Sequence, residues 1–157
     1  YSTDTSRSMV PLGSDSEKLK DYLEIIRLRQ DGRFTYTVQV DPAVRDVLIP
    51  KLWVQPVVEN SVKYGSLRKQ TLHVDLTARM EDGFLLLTVE DNGTGFEPQR
   101  LKEVQDSLTD PKKGTRQSGL QSLARRLVLL YGKESSVTIE SEYMVHTRVT
   151  LRMRRGG

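Results

Sequence analysis

Four stretches of this 157-residue chain combine residue types and spacings that could do chemistry. The first is Glu59-Asn60-Ser61-Val62-Lys63-Tyr64. On a helix, Asn60, Lys63 and Tyr64 fall at i, i+3 and i+4 and share one face. Asn60 offers an uncharged oxygen to a hard cation such as Mg²⁺, which usually keeps phosphates and waters as the rest of its shell. Lys63 is a point charge suited to a phosphate, and Tyr64 is a flat surface for a base. The same residues also suit an ordinary amphipathic helix with a solvated polar face and a Glu59–Lys63 pair.

The second stretch is Asp91-Asn92-Gly93-Thr94-Gly95, directly after an apolar run. Two glycines let the backbone turn sharply and approach a ligand closely, and a carboxylate at a strand end can accept a hydrogen bond from an exocyclic amine. A hairpin with an Asn-Gly turn is the plain alternative, but the residues after Pro98 read as helical, so no partner strand returns. The third Gly of a dinucleotide fingerprint is missing and no Walker A lysine motif occurs. The third stretch, Pro111 to Leu120, is a basic loop (Lys112, Lys113, Gly114, Arg116) that runs through Ser118-Gly119-Leu120 into a helix. Free N–H groups and a positive dipole end make that helix start a ready phosphate site; a solvated loop capped by Ser118 is the plain reading. The fourth is Thr147, whose hydroxyl entering the last strand could stand beside Asp91, or could belong to an unremarkable strand residue.

Composition excludes other chemistries. Cysteine is absent, which removes disulfides, thiolate catalysis and Cys-ligated metal. Two histidines give little support to a zinc site or a Ser-His-Asp triad. No apolar run reaches the ~18 residues of a membrane helix. A net charge of +3 is small beside 24 basic and 21 acidic residues. Although the pI is about 9.2, scattered basic residues and 6% aromatics argue against a nucleic-acid partner.

The elements that must position these residues follow from periodicity. Residues 1–16, polar with Pro11 and Gly13, read as a linker. Ser14 and Glu17 have the spacing of a capping box, opening a helix with Leu19, Tyr22, Leu23 and Ile26 on one stripe. Phe34 to Val40 alternates as a strand. Residues 50–64 read as helical, Pro50 suiting a first turn and Pro56 forcing a kink or restart. Thr71 to Arg79 alternates, Asp82-Gly83 makes a hairpin turn, and Phe84 to Val89 is apolar enough for a central strand. Residues 97–107 read as helix, 108–117 as a mobile loop, and 118–130 as an amphipathic helix with Leu120, Leu123, Leu127 and Leu130 on its stripe. Strands at 137–141 and 147–153 close the chain. This predicts an α+β, two-layer α/β sandwich, its sheet mixed but mostly antiparallel, with helices on one face.

In this order the parts resemble the GHKL ATP-binding (Bergerat) fold shared by the ATPase component of DNA gyrase, MutL and sensor histidine kinases. Glu59 to Tyr64 resembles its N box, Asp91 to Gly95 its G1 box, and Gly114 with Ser118-Gly119-Leu120 its G2 region and lid. Leu19 to Arg29, Arg33-Phe34, Ile49-Pro50, Gln55 to Asn60 and Arg126-Leu127 to Tyr131-Gly132 are similar to LytS/YesM-type sensor histidine kinases. The resemblance implies that Asp91 binds the adenine amino group, joined by Thr147. It implies that Asn60 ligates a Mg²⁺ bridging the phosphates of ATP and that Glu59 orients water or the metal shell. Lys63 and Lys113 would meet phosphate, Tyr64 the base or ribose; Gly93 and Gly95 would shape the pocket floor, and Gly119 and Leu120 would face the phosphates.

The resemblance further implies an ATP-binding catalytic domain over residues 17–157, with 1–16 leading in from a dimerisation helix. The γ-phosphate would pass to a histidine on such a helix of the same full-length kinase, and from there to a response regulator. The domain would be cytoplasmic and its parent membrane-anchored. Some residues depart from the family pattern: Gln117 stands for the first Gly of a Gly-x-Gly-Leu turn, Ser122 for an Asn, His146 for a Gly and Tyr64 for a His. Gln117 and His146 motivate a second expectation, a degenerate module of the same fold that binds partners without kinase activity.

Overall fold

The computed structural model describes residues 9–65, 71–109 and 119–154, with side chains at 64 and 65 excepted. In order the elements are β1 (Met9–Pro11), α1 (Leu12–Arg29), β2 (Phe34–Val40), β3 (Leu48–Pro50), α2 (Gln55–Gly65), β4 (Leu72–Glu81), β5 (Phe84–Asp91), α3 (Pro98–Thr109), α4 (Gly119–Tyr131), β6 (Ser136–Glu142) and β7 (His146–Arg154). A five-stranded sheet runs β2-β4-β5-β7-β6. Only β2–β4 is parallel; β4–β5, β5–β7 and β6–β7 are antiparallel. The mixed, mostly antiparallel sheet and the α/β layering are as the sequence predicts.

The period-2 pattern explains why one face is covered. Register aligns Ala78, Leu87, Leu151 and Val137 in one inward row and Leu76, Val89, Val149 and Ile139 in the next. All eight are buried against the helices. From α1 come Leu19, Leu23 and Ile26, from α2 Val57 and Val58, and from α4 Leu120, Leu123 and Leu127. β5 is central, as its apolar run predicts, yet among the described residues no second helical layer covers its outer face. Instead the Arg152 guanidinium lies 3.7 Å from the Phe84 ring centroid and Arg154 5.7 Å from it, so long cationic side chains shield an outward aromatic. Asp82 (φ 52°) and Gly83 (φ 82°) make the tight β4–β5 hairpin, both with the positive φ that a primed turn requires.

Four local expectations are corrected. Helix α1 begins at Leu12, not after Ser14. The Ser14 hydroxyl donates back to the Pro11 carbonyl, while the Leu12 and Gly13 N–H groups are taken by the Val47 and Arg45 carbonyls, so loop backbone replaces the capping box. Met9–Pro11, within the stretch read as linker, pairs with β3 as a small antiparallel ribbon. The helix expected over 50–64 begins at Gln55, so Pro56 sits in its first turn, where a missing N–H costs nothing and no kink is needed. On α4, Leu120, Leu123 and Leu127 are buried but Leu130 is 40% exposed. The expected loop over 108–117 lies outside the described residues from 110 onward. No helix among the described residues is long and apolar enough to cross a membrane.

Candidate nucleotide site

At one end of the sheet the inward rows stop being apolar. The last row is Asp91 on β5, Thr147 beside it on β7, and Ser141 opposite Thr147 on β6. Asp91 is 6% exposed and Thr147 8%. Helix α2 crosses above them, bringing Val57, Asn60 and Ser61, and the first turn of α4 brings Leu120. Thr94, Gly95, Phe96, Ile139 and Val149 complete a cavity of about 50 Å³, far smaller than the ~300–1,000 Å³ of ordinary ligand clefts. A ligand of purine size therefore needs this cavity to widen.

Asp91 is held and tuned. Its Oδ1 accepts from the Gly93 N–H at 2.9 Å, and the Ser61 hydroxyl donates to the same carboxylate. Burial pushes the carboxyl above its ordinary range; the Gly93 and Ser61 hydrogen bonds oppose that, Glu90 adds to it and His146 lessens it. Burial wins because a buried anion loses more hydration than two neutral donors return. Asn92 fixes the turn that follows: the His73 N–H donates to its side-chain oxygen at 2.7 Å and its amide donates to the Thr71 carbonyl, which extends the β4–β5 pairing by one side chain.

Gly95 is required by two separate constraints. Its φ is +70°, and a Cβ there would stand 2.4 Å from the Glu142 carbonyl oxygen. The Thr94–Phe96 segment is thereby strapped to the β6–β7 hairpin. The Met144 N–H donates to the Thr94 carbonyl and the Phe96 N–H to the Ser141 hydroxyl at 2.8 Å.

The structure gathers Asn60, Asp91, Gly95, Leu120 and Thr147 around one cavity, with Gly93 tied to Asp91 and Gly119 opening α4 next to Leu120. Gly119 approaches the first turn of α2, where its Cβ would lie 3.9 Å from that of Pro56. Glu59 and Lys63 are exposed on α2, outside the cavity lining, and the Gln55 amide donates to Glu59 at 3.3 Å. The Tyr64 side chain and Lys113 lie outside the described residues. Sequence reasoning missed Ser61, Phe96 and Ser141. Ser61 and Ser141 carried a signal: each is a polar residue in the buried phase of its element, Ser61 after Val57 and Val58, Ser141 after Val137 and Ile139.

Residues 46–157 match the family model described as histidine kinase-, DNA gyrase B-, and HSP90-like ATPase. The chain belongs to this ATPase family. Among curated relatives of this family, a sensor protein LytS of Staphylococcus haemolyticus is 33% identical over 133 residues, 84% of this chain and 23% of that protein. The sensor histidine kinase YesM of Bacillus subtilis is 29% identical over 146 residues, 92% of this chain and 24% of that protein. The chain thus spans about a quarter of the length of these relatives. In fold it is similar to the catalytic domain of the histidine kinase ThkA, with TM-score 0.67 at 12% identity over 93% of each chain. A second structure of like fold is the histidine kinase domain of the Erythrobacter litoralis EL346 blue-light activated histidine kinase, with TM-score 0.59 at 23% identity, over 92% of this chain and 65% of that one.

The donor set suits a nucleotide-borne metal better than a resident one. Among the described residues no group of three His, Cys, Asp or Glu side chains could hold a metal ion. Asn60 supplies a single neutral oxygen at the cavity, which fits Mg²⁺, a cation that retains waters and phosphates as its other ligands.

Proposed function

We propose that this chain is the ATP-binding catalytic domain of a sensor histidine kinase, and that it delivers the γ-phosphoryl group of ATP to a histidine carried elsewhere in its parent. The observation that carries this reading is the buried Asp91 carboxylate at the end of β5, set beside Thr147 and under Asn60 and Ser61. A buried acceptor at the polar end of a slot with apolar walls selects a flat ligand with an amino edge. Val57, Leu120, Ile139 and Val149 supply the apolar walls.

In this reading Asp91 accepts from the adenine amino group, and Gly93 and Ser61 hold its carboxylate in place. Asn60 would contribute one oxygen to a Mg²⁺ that arrives with the nucleotide, which supplies charge neutralisation when bound. Gly119 and Leu120 turn the N–H groups of the first α4 turn toward phosphate oxygens. Glu59 would orient water or the metal shell, Lys63 and Lys113 would meet phosphate, and Tyr64 would meet the base or ribose. The chain's share of the work is positioning and electrostatic stabilisation. Its own histidines are poor acceptors: His73 is hydrogen-bonded to Thr35 and Asp75 on the outer sheet face, and His146 opens β7. A response regulator would take the phosphoryl group next. The setting would be cytoplasmic, where ATP is supplied, with the parent anchored to a membrane.

Calorimetric titration of Mg-ADP and a non-hydrolysable ATP analogue into the folded chain tests this. Saturable binding that weakens without Mg²⁺ is expected, followed by phosphoryl transfer to the acceptor histidine of the longer kinase. A folded chain that binds neither nucleotide refutes the reading and leaves a degenerate module of the same fold.

A further inference from the structure

Ser141 stands at a junction of three hydrogen bonds. Its Oγ lies 2.8 Å from the Phe96 backbone nitrogen, 2.8 Å from the His146 carbonyl oxygen and 3.0 Å from Thr147 Oγ1. A serine hydroxyl has one proton and two acceptor lone pairs. The Phe96 N–H can only donate, so it occupies one lone pair. The His146 carbonyl can only accept, so it takes the proton. The remaining lone pair is all that Ser141 can offer Thr147, so in the hydrogen bond between them Thr147 is the donor.

From this proton count we infer that Ser141 is a positioning residue that fixes the polarity of Thr147, so that Thr147 faces the cavity as a hydrogen-bond acceptor and the site selects 6-aminopurine over 6-oxopurine nucleotides. Thr147 and Asp91 are register partners on adjacent strands and both line the cavity. An ionised Asp91 is acceptor-only. Two acceptors side by side match an amino group, which donates twice, and oppose a 6-oxo group, which only accepts. Without Ser141, the Thr147 hydroxyl is free to turn and donate, and one half of that discrimination is lost. The inference rests on the nucleotide reading above and deepens it; Ser141 itself need not touch the ligand.

The test is calorimetric affinity for Mg-ADP and for Mg-inosine diphosphate, which differs only at the 6-position and its N1 proton. Wild type should prefer ADP. Ser141→Ala should lower the ADP-to-IDP affinity ratio about tenfold, the worth of one hydrogen bond of ordinary strength, and Ser141→Thr, which restores a hydroxyl, should recover it. Ser141→Cys, close in size with a weak donor, carries the same expectation as alanine if the alanine variant does not fold. Because the effect runs through Thr147, Thr147→Val should lower the ratio too, and the Ser141→Ala/Thr147→Val double variant should lower it no further than Thr147→Val alone.

A role confined to bracing the Phe96 segment would weaken both nucleotides by one common factor and leave the ratio unchanged, which overturns the inference, as would additive losses in the double variant. Failure of wild type to bind ADP removes the nucleotide reading itself, and this assignment with it. Binding of ADP with a ratio insensitive to Ser141 removes only this assignment.

Discussion

At the scale of single residues, the Asp91 carboxylate puts function and stability in opposition. Burial raises its pKa above the ordinary carboxyl value of 3.8, so the folded chain holds that proton more tightly than the unfolded one. The associated stability is fully present below the ordinary pKa and is lost as pH rises through the raised value. At neutral pH the ionised group is thus a cost to folding. Asp91→Asn should therefore melt at a temperature no lower than wild type at pH 7, because Asn keeps an oxygen for the Gly93 N–H and Ser61 can turn its hydroxyl to accept. The same variant should lose about ten- to a hundredfold in Mg-ADP affinity, the worth of a hydrogen bond to a charged group. Thermal denaturation and calorimetry on one sample check both halves. An equal loss of stability and affinity would mean that Asp91 is a structural group. In wild type, ADP affinity should fall on acidification, starting at a higher pH than an ordinary carboxylate would give, since protonation turns one acceptor oxygen into a donor.

At the scale of elements, legibility depended on whether one period governed a segment. β4 follows a single period and its inward residues could be read from the sequence; the apolar run of β5 marked it as central without telling its two faces apart, and the stripe of α4 held for Leu120, Leu123 and Leu127 but not for Leu130. The β6–β7 row could have been read too, because Asp91, Thr147 and Ser141 each extend an apolar inward phase with a polar residue at the same end of the sheet. What could not be read was decided by contacts far along the chain. The start of α1 depends on carbonyls of Arg45 and Val47, and the ribbon of β1 with β3 joins residues about forty positions apart. Gly95 shows the same dependence: its turn was legible, but the Glu142 carbonyl that forbids a side chain there was not. Gly95→Ala should cost about 1–3 kcal/mol in denaturant unfolding through positive φ alone, and more through the clash. It should also abolish ADP binding, since the strap between Thr94–Phe96 and the hairpin would be displaced. Helix α4 offers a direct readout of opening. The single tryptophan, Trp53, is 1% exposed, lies 5.0 Å below the Arg126 guanidinium and packs edge-on to Tyr131 of the same helix. If Leu120 withdraws to admit a purine, Mg-ADP should change Trp53 fluorescence with the same midpoint as calorimetry, and Arg126→Ala should reduce that change without altering the midpoint more than about twofold. A silent Trp53 during saturable binding would show that α4 stays fixed around it.

Across the whole molecule, the sheet separates what holds the fold from what binds. The two inward apolar rows through Leu87 and Val89 sit under the helices, while the polar row through Asp91 sits at one edge of that core. Leu87 has no exposed surface and lies four residues from Asp91 on one strand, about 13 Å at the usual rise of an extended chain. Leu87→Ala removes side-chain volume from the centre of the packed layer, where surrounding strands are hydrogen-bonded on both sides and cannot close the gap. The expected loss is about 2–5 kcal/mol of unfolding free energy. Yet Leu87 does not line the cavity beside Asp91, so the folded fraction should bind Mg-ADP within about threefold of wild type. Combining Leu87→Ala with Asp91→Asn then gives a test of the separation itself. Sites this far apart without shared partners usually add to within about 0.5 kcal/mol. The double variant should show the stability of one and the affinity of the other. A larger coupling, read from denaturant melts with and without saturating ADP, would mean that the apolar rows transmit packing changes to the polar row, and that the slot is part of the same cooperative core.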